Sequence, residues 1–580
     1  SWKAWKIYHA QQEWLHHHHA STVLQNAVQS REVLFTQRLK ATFSLAEEFN
    51  YVRAEVANAC HSWNKLYMHR VIRRDYGPEE GSNSIQPSVF SNHKELHNAY
   101  TTSQLSMLNV EELRQRSDML GYDMHNAVSL RVHEKSPHVA VLHVPGVAHQ
   151  RPPVMENMQL RFRFQPKDLW PTMSSQLESN VRQKVFNVGT NFSISELNST
   201  VEWVEFTGFV MNVNNTREEV TLSLPSLDSE NYDANFRSLL FERSAPVLHV
   251  RFPFQGGPHF AAMRLAVVRC AEKFPRLLFP DVYAESQRTE EHCLTSAALI
   301  EDIKRTTKWI DRDLNPTQQR AVAAVLASWV DTKSATKETD ERPHKMLSHG
   351  ADVIDNDEKE LKDTDEIIHR PILCVLGPPG TGKTRTLMEV VLQLVRKPGS
   401  KLLLCAPSPV AADIICKRLS PHFAGWHKTT DDNRPRMLRL NAVNRPRHWV
   451  VMPETFKFCI PDGSSFGLPS WLELSDPTLS VIVSTCAMSS FIAHSIKEGK
   501  ESSGLNKGFD YVLIDEAAQA VEAEALIAVQ CAHSLSPRVV LFGDSLQLGP
   551  QVRSPVSEAQ GLGMSLLERL TRTNMYGRAG

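Results

Sequence analysis

The chain has no paired cysteines, no excess of either charge and no long apolar run. Its nine cysteines include no C-x-x-C spacing, and Cys374, Cys405 and Cys486 sit in apolar segments. This excludes a disulfide framework or a closely spaced zinc site and fits reduced core thiols in an intracellular, cytoplasmic protein. Lys and Arg number 64 against 65 Asp and Glu. A nucleic-acid surface must therefore be a local groove, since no basic field covers the whole molecule. No segment reaches the ~18 uninterrupted apolar residues of a membrane span, and no signal-peptide pattern opens the chain, so no membrane association is expected. The chain opens on Ser1, without an initiator methionine, which predicts a piece of something longer.

At 580 residues the chain exceeds the ~250–300 residues of a single core, and several domains are expected. The most informative stretch is ILCVLGPPGTGKTRT, Ile372 to Thr386. An apolar strand precedes a G-x-x-x-x-G-K-T loop, and Leu387 to Val395 continue as a helix. Gly377, Gly380 and Gly382 let backbone N–H groups turn toward phosphates. Pro378, Pro379, Thr381 and Arg385 complete the loop, Lys383 reaches the β/γ oxygens, and Thr384 is placed for Mg²⁺. The bland alternative, a coincidental flexible loop, does not account for the strand and helix on either side.

Ahead of this loop, residues 1–76 carry tryptophans and leucines at helical spacing, and the His16–His19 run reads better as a helix surface or tag remnant than as a metal site. Residues 77–126 read as a turn-rich linker followed by helices, and 127–275 as a small antiparallel β-barrel. Its strands are SLRVHEKS, HVAVLHVPG, MQLRFRFQP, VEWVEFTGFVMNV, EEVTLSLP, PVLHVRFPF and MRLAVVRC, with turns at Pro145–Gly146, Asn212–Asn215 and Gly256–Gly257. Arg161, Arg163, Arg251 and Arg264 are candidates for a nucleic-acid face or, equally, for solvated strand sides. Residues 276–330 read as stalk helices leading into LNPTQQRAV, where the Gln318 amide offers the donor and acceptor that match an adenine edge. The charged segment 331–370 reads as a disordered insertion, and 371–580 as one RecA-like α/β domain.

Within that domain four further strands end in polar tips: Ala406–Pro409, Ser484–Thr485, Asp515–Glu516 and Asp544–Gln547. Phosphoanhydride hydrolysis needs charge neutralisation and an oriented water more than covalent chemistry. Asp515 is suited to Mg²⁺ together with Thr384, Glu516 to polarising water, and Gln547 to sensing the γ-phosphate. The alternative for Asp515 and Glu516 is a helix cap. The hydroxyls at the remaining tips suit sugar-phosphate contacts with a single strand.

The motifs GPPGTGKTRT, DEAAQA and GDSLQLGP resemble superfamily 1 helicases of the up-frameshift type. The flanks HVPGVAHQRPPV, EFTGFVMNV, LNPTQQRAV, APSPVAAD and QLGPQVRSPVSEAQGLGMSLLERL are similar to the Armitage branch, which includes the Moloney leukaemia virus ten homologue and the plant silencing-defective helicase. The likeness runs from about 130 to 575. It implies Gln318 at adenine, Lys383 and Thr384 at phosphate and Mg²⁺, Asp515 and Glu516 in metal binding and hydrolysis, and Gln547 at the γ-phosphate. It further implies ATP as cofactor, single-stranded RNA as a 5′-to-3′ track, and Argonaute-type silencing proteins and decay factors as partners in cytoplasmic ribonucleoprotein granules. Pro409 stands where the family carries asparagine near the RNA. The family's second RecA-like domain is expected to lie outside this chain, leaving the fragment poorly active alone. Two other readings stay open: an RNA-binding scaffold with ATP as a clamp, and a DNA helicase of the same superfamily.

Overall fold

The computed structural model describes residues 45–64 and 67, 93–164, 204–224, 248–286, 297–327, 371–573 and 576, apart from short breaks inside these spans. The His16–His19 run, the polar segment 77–87 and the charged segment 331–370 lie outside the described residues. Two compact units are distinguished, one formed by residues 109–258 with 444–446 and the other by the chain on either side.

The smaller unit holds an antiparallel seven-stranded sheet. Its strands are β1 (Met124–Val128), β2 (Arg131–His133), β3 (Ser136–His143), β4 (Gln159–Phe164), β5 (Val204–Asn214), β6 (Glu219–Ser223) and β7 (Leu248–Arg251), in the order β1-β7-β4-β5-β6-β3-β2. Alternation decides which side is core. Leu160 and Phe162 on β4, Val220 and Leu222 on β6, and Val250 on β7 are buried together with Leu142 and Val210, while Gln159 and Arg161 face out. Arg161 lies opposite Arg251. The Arg251 Nε donates to the Asp123 carboxylate at 2.9 Å, which offsets a cross-strand pairing of like charges. Asn212 belongs to β5. The turn follows at 215–218, with the Asn214 Oδ1 accepting from the N–H groups of Thr216 and Arg217.

One expected strand is a helix. MRLAVVRC lies in Gly257–Lys273, whose buried residues Phe260, Met263, Val267 and Cys270 recur at three- and four-residue steps. A short apolar run carries too little period to separate the two states, and here burial on one helical side decided it. Arg264 is therefore not on the sheet, and Gly257 opens a helix instead of closing a strand turn.

The larger unit contains a six-stranded sheet. To β8 (Leu373–Leu376), β9 (Leu402–Ala406) and β10 (Arg436–Arg439) it adds β13 (Leu479–Thr485), β14 (Tyr511–Ile514) and β15 (Val539–Gly543). The intervening β11 (Pro461–Asp462) and β12 (Ser465–Phe466) form a separate hairpin. All pairings in the large sheet are parallel, in the order β10-β13-β9-β14-β15-β8. Helices cover both faces of such sheets, which is why β9, β14 and β15 are apolar and buried throughout.

The helices before and after this sheet meet in a buried ionic cluster. Arg569, 1% exposed, donates from Nε and Nη2 to the Glu522 carboxylate at 2.7 Å each and from Nη1 to the Leu278 carbonyl at 3.0 Å. Tyr100 donates to Glu522 at 2.7 Å, and the guanidinium lies over the Tyr67, Tyr100 and Phe279 rings. Burial and the Glu522 carboxylate push the Tyr100 hydroxyl well above its ordinary value, so it remains a donor. Removing one partner strands the other charge in the core. Arg569→Met is therefore expected to lose ~3–5 kcal/mol of unfolding free energy, much of it recovered by adding Glu522→Gln. Denaturant titration of the single and double variants measures this; an unchanged midpoint in the single variant would remove the cluster from the stability account.

The eight described cysteines are free thiols. Among the described residues no helix is long and apolar enough to cross a membrane.

Candidate nucleotide-binding site

Strand order assembles the site. β8, β15 and β14 are consecutive neighbours, so the three loops leaving their carboxyl ends emerge side by side. These loops carry Gly377–Thr384, Asp544–Gln547 and Asp515–Glu516. The Gly377 N–H donates to the Gly543 carbonyl at 3.3 Å, tying the phosphate loop to the end of β15.

The loop turns into the helix Lys383–Val395 at Gly382, whose φ of 84° is left-handed and which offers no side-chain cap. The first N–H groups of this helix are therefore left for an anion. Gly377 is required sterically: a Cβ there would fall 2.6 Å from the Thr381 Oγ1. Thr381 donates that hydroxyl to the Pro378 carbonyl at 2.8 Å, closing the loop. Pro378, Pro379 and Gly380 are exposed along its rim. The Lys383 ammonium donates to the Gly377 carbonyl at 2.6 Å and to Pro378 at 3.3 Å, spanning the loop that it would serve with phosphate in place.

Asp515 is buried at the end of β14. Burial and the Glu516 carboxylate push its pKa up to about 6, against the lowering pull of the Glu516 N–H, the Thr384 hydroxyl bonded to it, and Lys383. One hydroxyl and one carboxylate, Thr384 and Asp515, are a donor set suited to Mg²⁺, which keeps several waters and takes few protein ligands. Among the described residues no cluster of three or more His, Cys, Asp or Glu side chains could hold another metal.

Glu516 has φ 51° and leads a short 3-10 helix, Ala517–Gln519, with no side-chain cap bond. The capping alternative is therefore not realised by Glu516. Its carboxylate is half-buried and accepts from the Gln519 amide at 3.2 Å. A non-glycine residue held left-handed at a strand tip is strain of the kind that functional sites retain. Gln547 donates from Nε2 to the Asp544 carboxylate at 3.0 Å, and that bond, with the Leu546 N–H, holds the Asp544 carboxyl below its usual range.

Gln318 reaches the phosphate loop from outside the sheet. Its Nε2 donates to the Thr381 carbonyl at 2.9 Å, while its Oε1 accepts from the Asn315 N–H at 2.9 Å. The Arg385 guanidinium turns away from the loop and pairs with the Asp311 carboxylate, a contact that sequence reasoning did not find.

Two tips correct the expectation for a sugar-phosphate track. The Ser484 hydroxyl is buried and donates to the Thr485 carbonyl, and the Thr485 Oγ1 accepts from the Met488 N–H. Ser408 caps the helix Pro409–Leu419 by accepting from the Ala411 N–H at 3.1 Å, and Pro409 fills its first position. These hydroxyls serve local turns and caps.

Parallel sheet, phosphate loop and acidic strand tip together define a RecA-like P-loop nucleoside-triphosphate-binding domain. The AAA domain family matches residues 355–451 and 477–555. RNA helicase Mov10l1 of Homo sapiens is 33% identical over 258 residues, covering 44% of this chain and 19% of that protein. Probable RNA helicase armi of Drosophila melanogaster is 31% identical over 218 residues, 35% of this chain and 17% of that protein. Putative helicase MOV-10 of Gallus gallus is 32% identical over 211 residues, 34% and 20% of the two chains. The matched segment of this chain spans a minor part of each of these relatives' length.

Proposed function

We propose that the chain supplies the nucleotide-binding part of an ATP-dependent RNA helicase motor that couples ATP hydrolysis to unwinding or ribonucleoprotein remodelling. The observation that carries this reading is the Lys383-spanned phosphate loop at the end of β8, set beside the acidic tips of the neighbouring strands β15 and β14. A bound Mg²⁺ would neutralise charge on the β- and γ-phosphates. Thr384 and Asp515 would hold that ion, and Lys383 with the helix N-terminus would bind the phosphate oxygens. Glu516 orients and deprotonates the attacking water, Gln547 reports the γ-phosphate to the adjoining loop, and Gln318 reads the base. The sheet of residues 124–251 is taken as the β-barrel that lies along single-stranded RNA. Silencing and decay factors as partners, and cytoplasmic granules as the location, follow from the family likeness alone.

Nucleotide binding by this chain and RNA-stimulated ATP turnover by the full-length protein, with matched RNA and DNA oligomers, test the reading. Mg²⁺-dependent ATP binding and stimulation by RNA are expected. Equal stimulation by DNA would favour the DNA-helicase alternative, and RNA binding indifferent to ATP would favour the scaffold.

A further inference from the structure

The helix that starts at the phosphate loop carries a second polar stripe that grips a distant segment. Arg385, Glu389, Gln393 and Arg396 recur at steps of four, four and three, on one side of Lys383–Val395. Every one of them bonds the stretch just ahead of Gln318. Glu389 is 1% exposed, and its two carboxylate oxygens accept from the Ile310 and Asp311 N–H groups at 3.0 Å each. The Gln393 Nε2 donates to the Lys308 carbonyl at 2.9 Å and to Glu389 at 2.7 Å. Arg396 donates to the same Lys308 carbonyl at 2.9 Å. Arg385 forks onto both oxygens of Asp311, with one bond of 2.6 Å to Oδ1. The Asp313 N–H donates to that Oδ1 at 3.0 Å, and Asn315 and Gln318 bond each other reciprocally at 2.9 Å.

A buried carboxylate accepting two backbone N–H groups is a strong, directional clamp, because charge-assisted bonds are about twice as strong as neutral ones. Its effect is geometric. The segment 308–318 is fixed to the same helix whose N-terminus faces the phosphates, so Gln318 sits at a set distance from Thr381. We propose that Glu389, with the Arg385–Asp311 pair, is a positioning device for nucleobase recognition. It makes the base side and the phosphate side of the site one rigid body and so determines discrimination among nucleoside triphosphates. None of these three residues needs to touch the nucleotide. The inference rests on the nucleotide reading of the site.

The test is calorimetric titration of the whole chain with ATP, GTP and inorganic tripolyphosphate, for the unaltered protein and for Glu389→Gln and Asp311→Asn. Glu389→Gln keeps one acceptor for two N–H groups. Asp311→Asn alters a partly exposed side chain and should not impede folding. Expected is a fall of about tenfold in ATP affinity in each variant, the equivalent of one charge-assisted bond. Tripolyphosphate affinity should stay unchanged, and the ATP-to-GTP ratio should narrow. Unchanged ATP affinity in both variants overturns the proposal, as does a parallel loss for ATP and tripolyphosphate, which marks a structural role only. Failure of the unaltered protein to bind any of the three overturns the nucleotide reading and the inference with it.

Discussion

Replacing Lys383 with alanine is expected to cost most of the nucleotide affinity while leaving the fold intact. The ammonium is the only side-chain cation on the loop that points at its own carbonyls, Gly377 and Pro378; Arg385 beside it is committed to Asp311. Charge-assisted bonds to two phosphate oxygens give an expected loss of roughly a hundredfold or more in affinity. The cost to the folded state is small because Lys383 is half-buried and its carbonyl partners border solvent. Loop closure still rests on the Thr381 bond to Pro378 and the Gly377 bond to Gly543. Titration with ATP and Mg²⁺, paired with a thermal melt, checks both halves. A variant that melts normally and binds ATP as tightly as the unaltered protein would remove the phosphate loop from the mechanism.

Glu516→Gln separates binding from turnover. The substitution keeps size and the capacity to accept from the Gln519 amide, so the left-handed turn at φ 51° is retained, and Thr384 and Asp515 are untouched. What disappears is the carboxylate proposed as the base. General-base catalysis contributes about 10²–10⁴-fold, so turnover by the full-length protein should fall by that factor with nucleotide affinity unchanged. Asp515→Asn should instead weaken Mg²⁺-dependent ATP binding, because it removes the carboxylate proposed to hold the ion with Thr384. Equal turnover in the Glu516→Gln and unaltered proteins would transfer the base role elsewhere.

Much of the nucleotide site is legible in the chain because its parts are local. Lys383 and Thr384 are fixed by the spacing of one loop, and Asp515 and Asp544 each follow an apolar strand that can only be a buried strand of a parallel sheet. What the spacing of Gln318 could not reveal is its anchorage at Thr381, 63 residues away. The candidate track of strand-tip hydroxyls misled for a physical reason. Ser408 and Thr485 have the composition of a ligand contact, but hydroxyls at strand-to-helix turns are first claimed by free backbone N–H groups. MRLAVVRC misled because eight residues of mixed apolar and basic character satisfy a strand and a helix equally well.

The sequence by itself determined the local parts: a phosphate loop between strand and helix, and an Asp-Glu pair at the end of an apolar strand, the residues to which the proposed magnesium and base roles are given. These depend on residue type at short spacing, which the backbone converts directly into geometry. Only the tertiary structure decided which strand tips are neighbours, which hydroxyls and cations are already spent, and that Arg569 is neutralised by Glu522 in the core. It also decided that Glu389 holds the segment ahead of Gln318. Each of those joins residues far apart in the chain through burial and hydrogen-bond geometry, which no local pattern encodes.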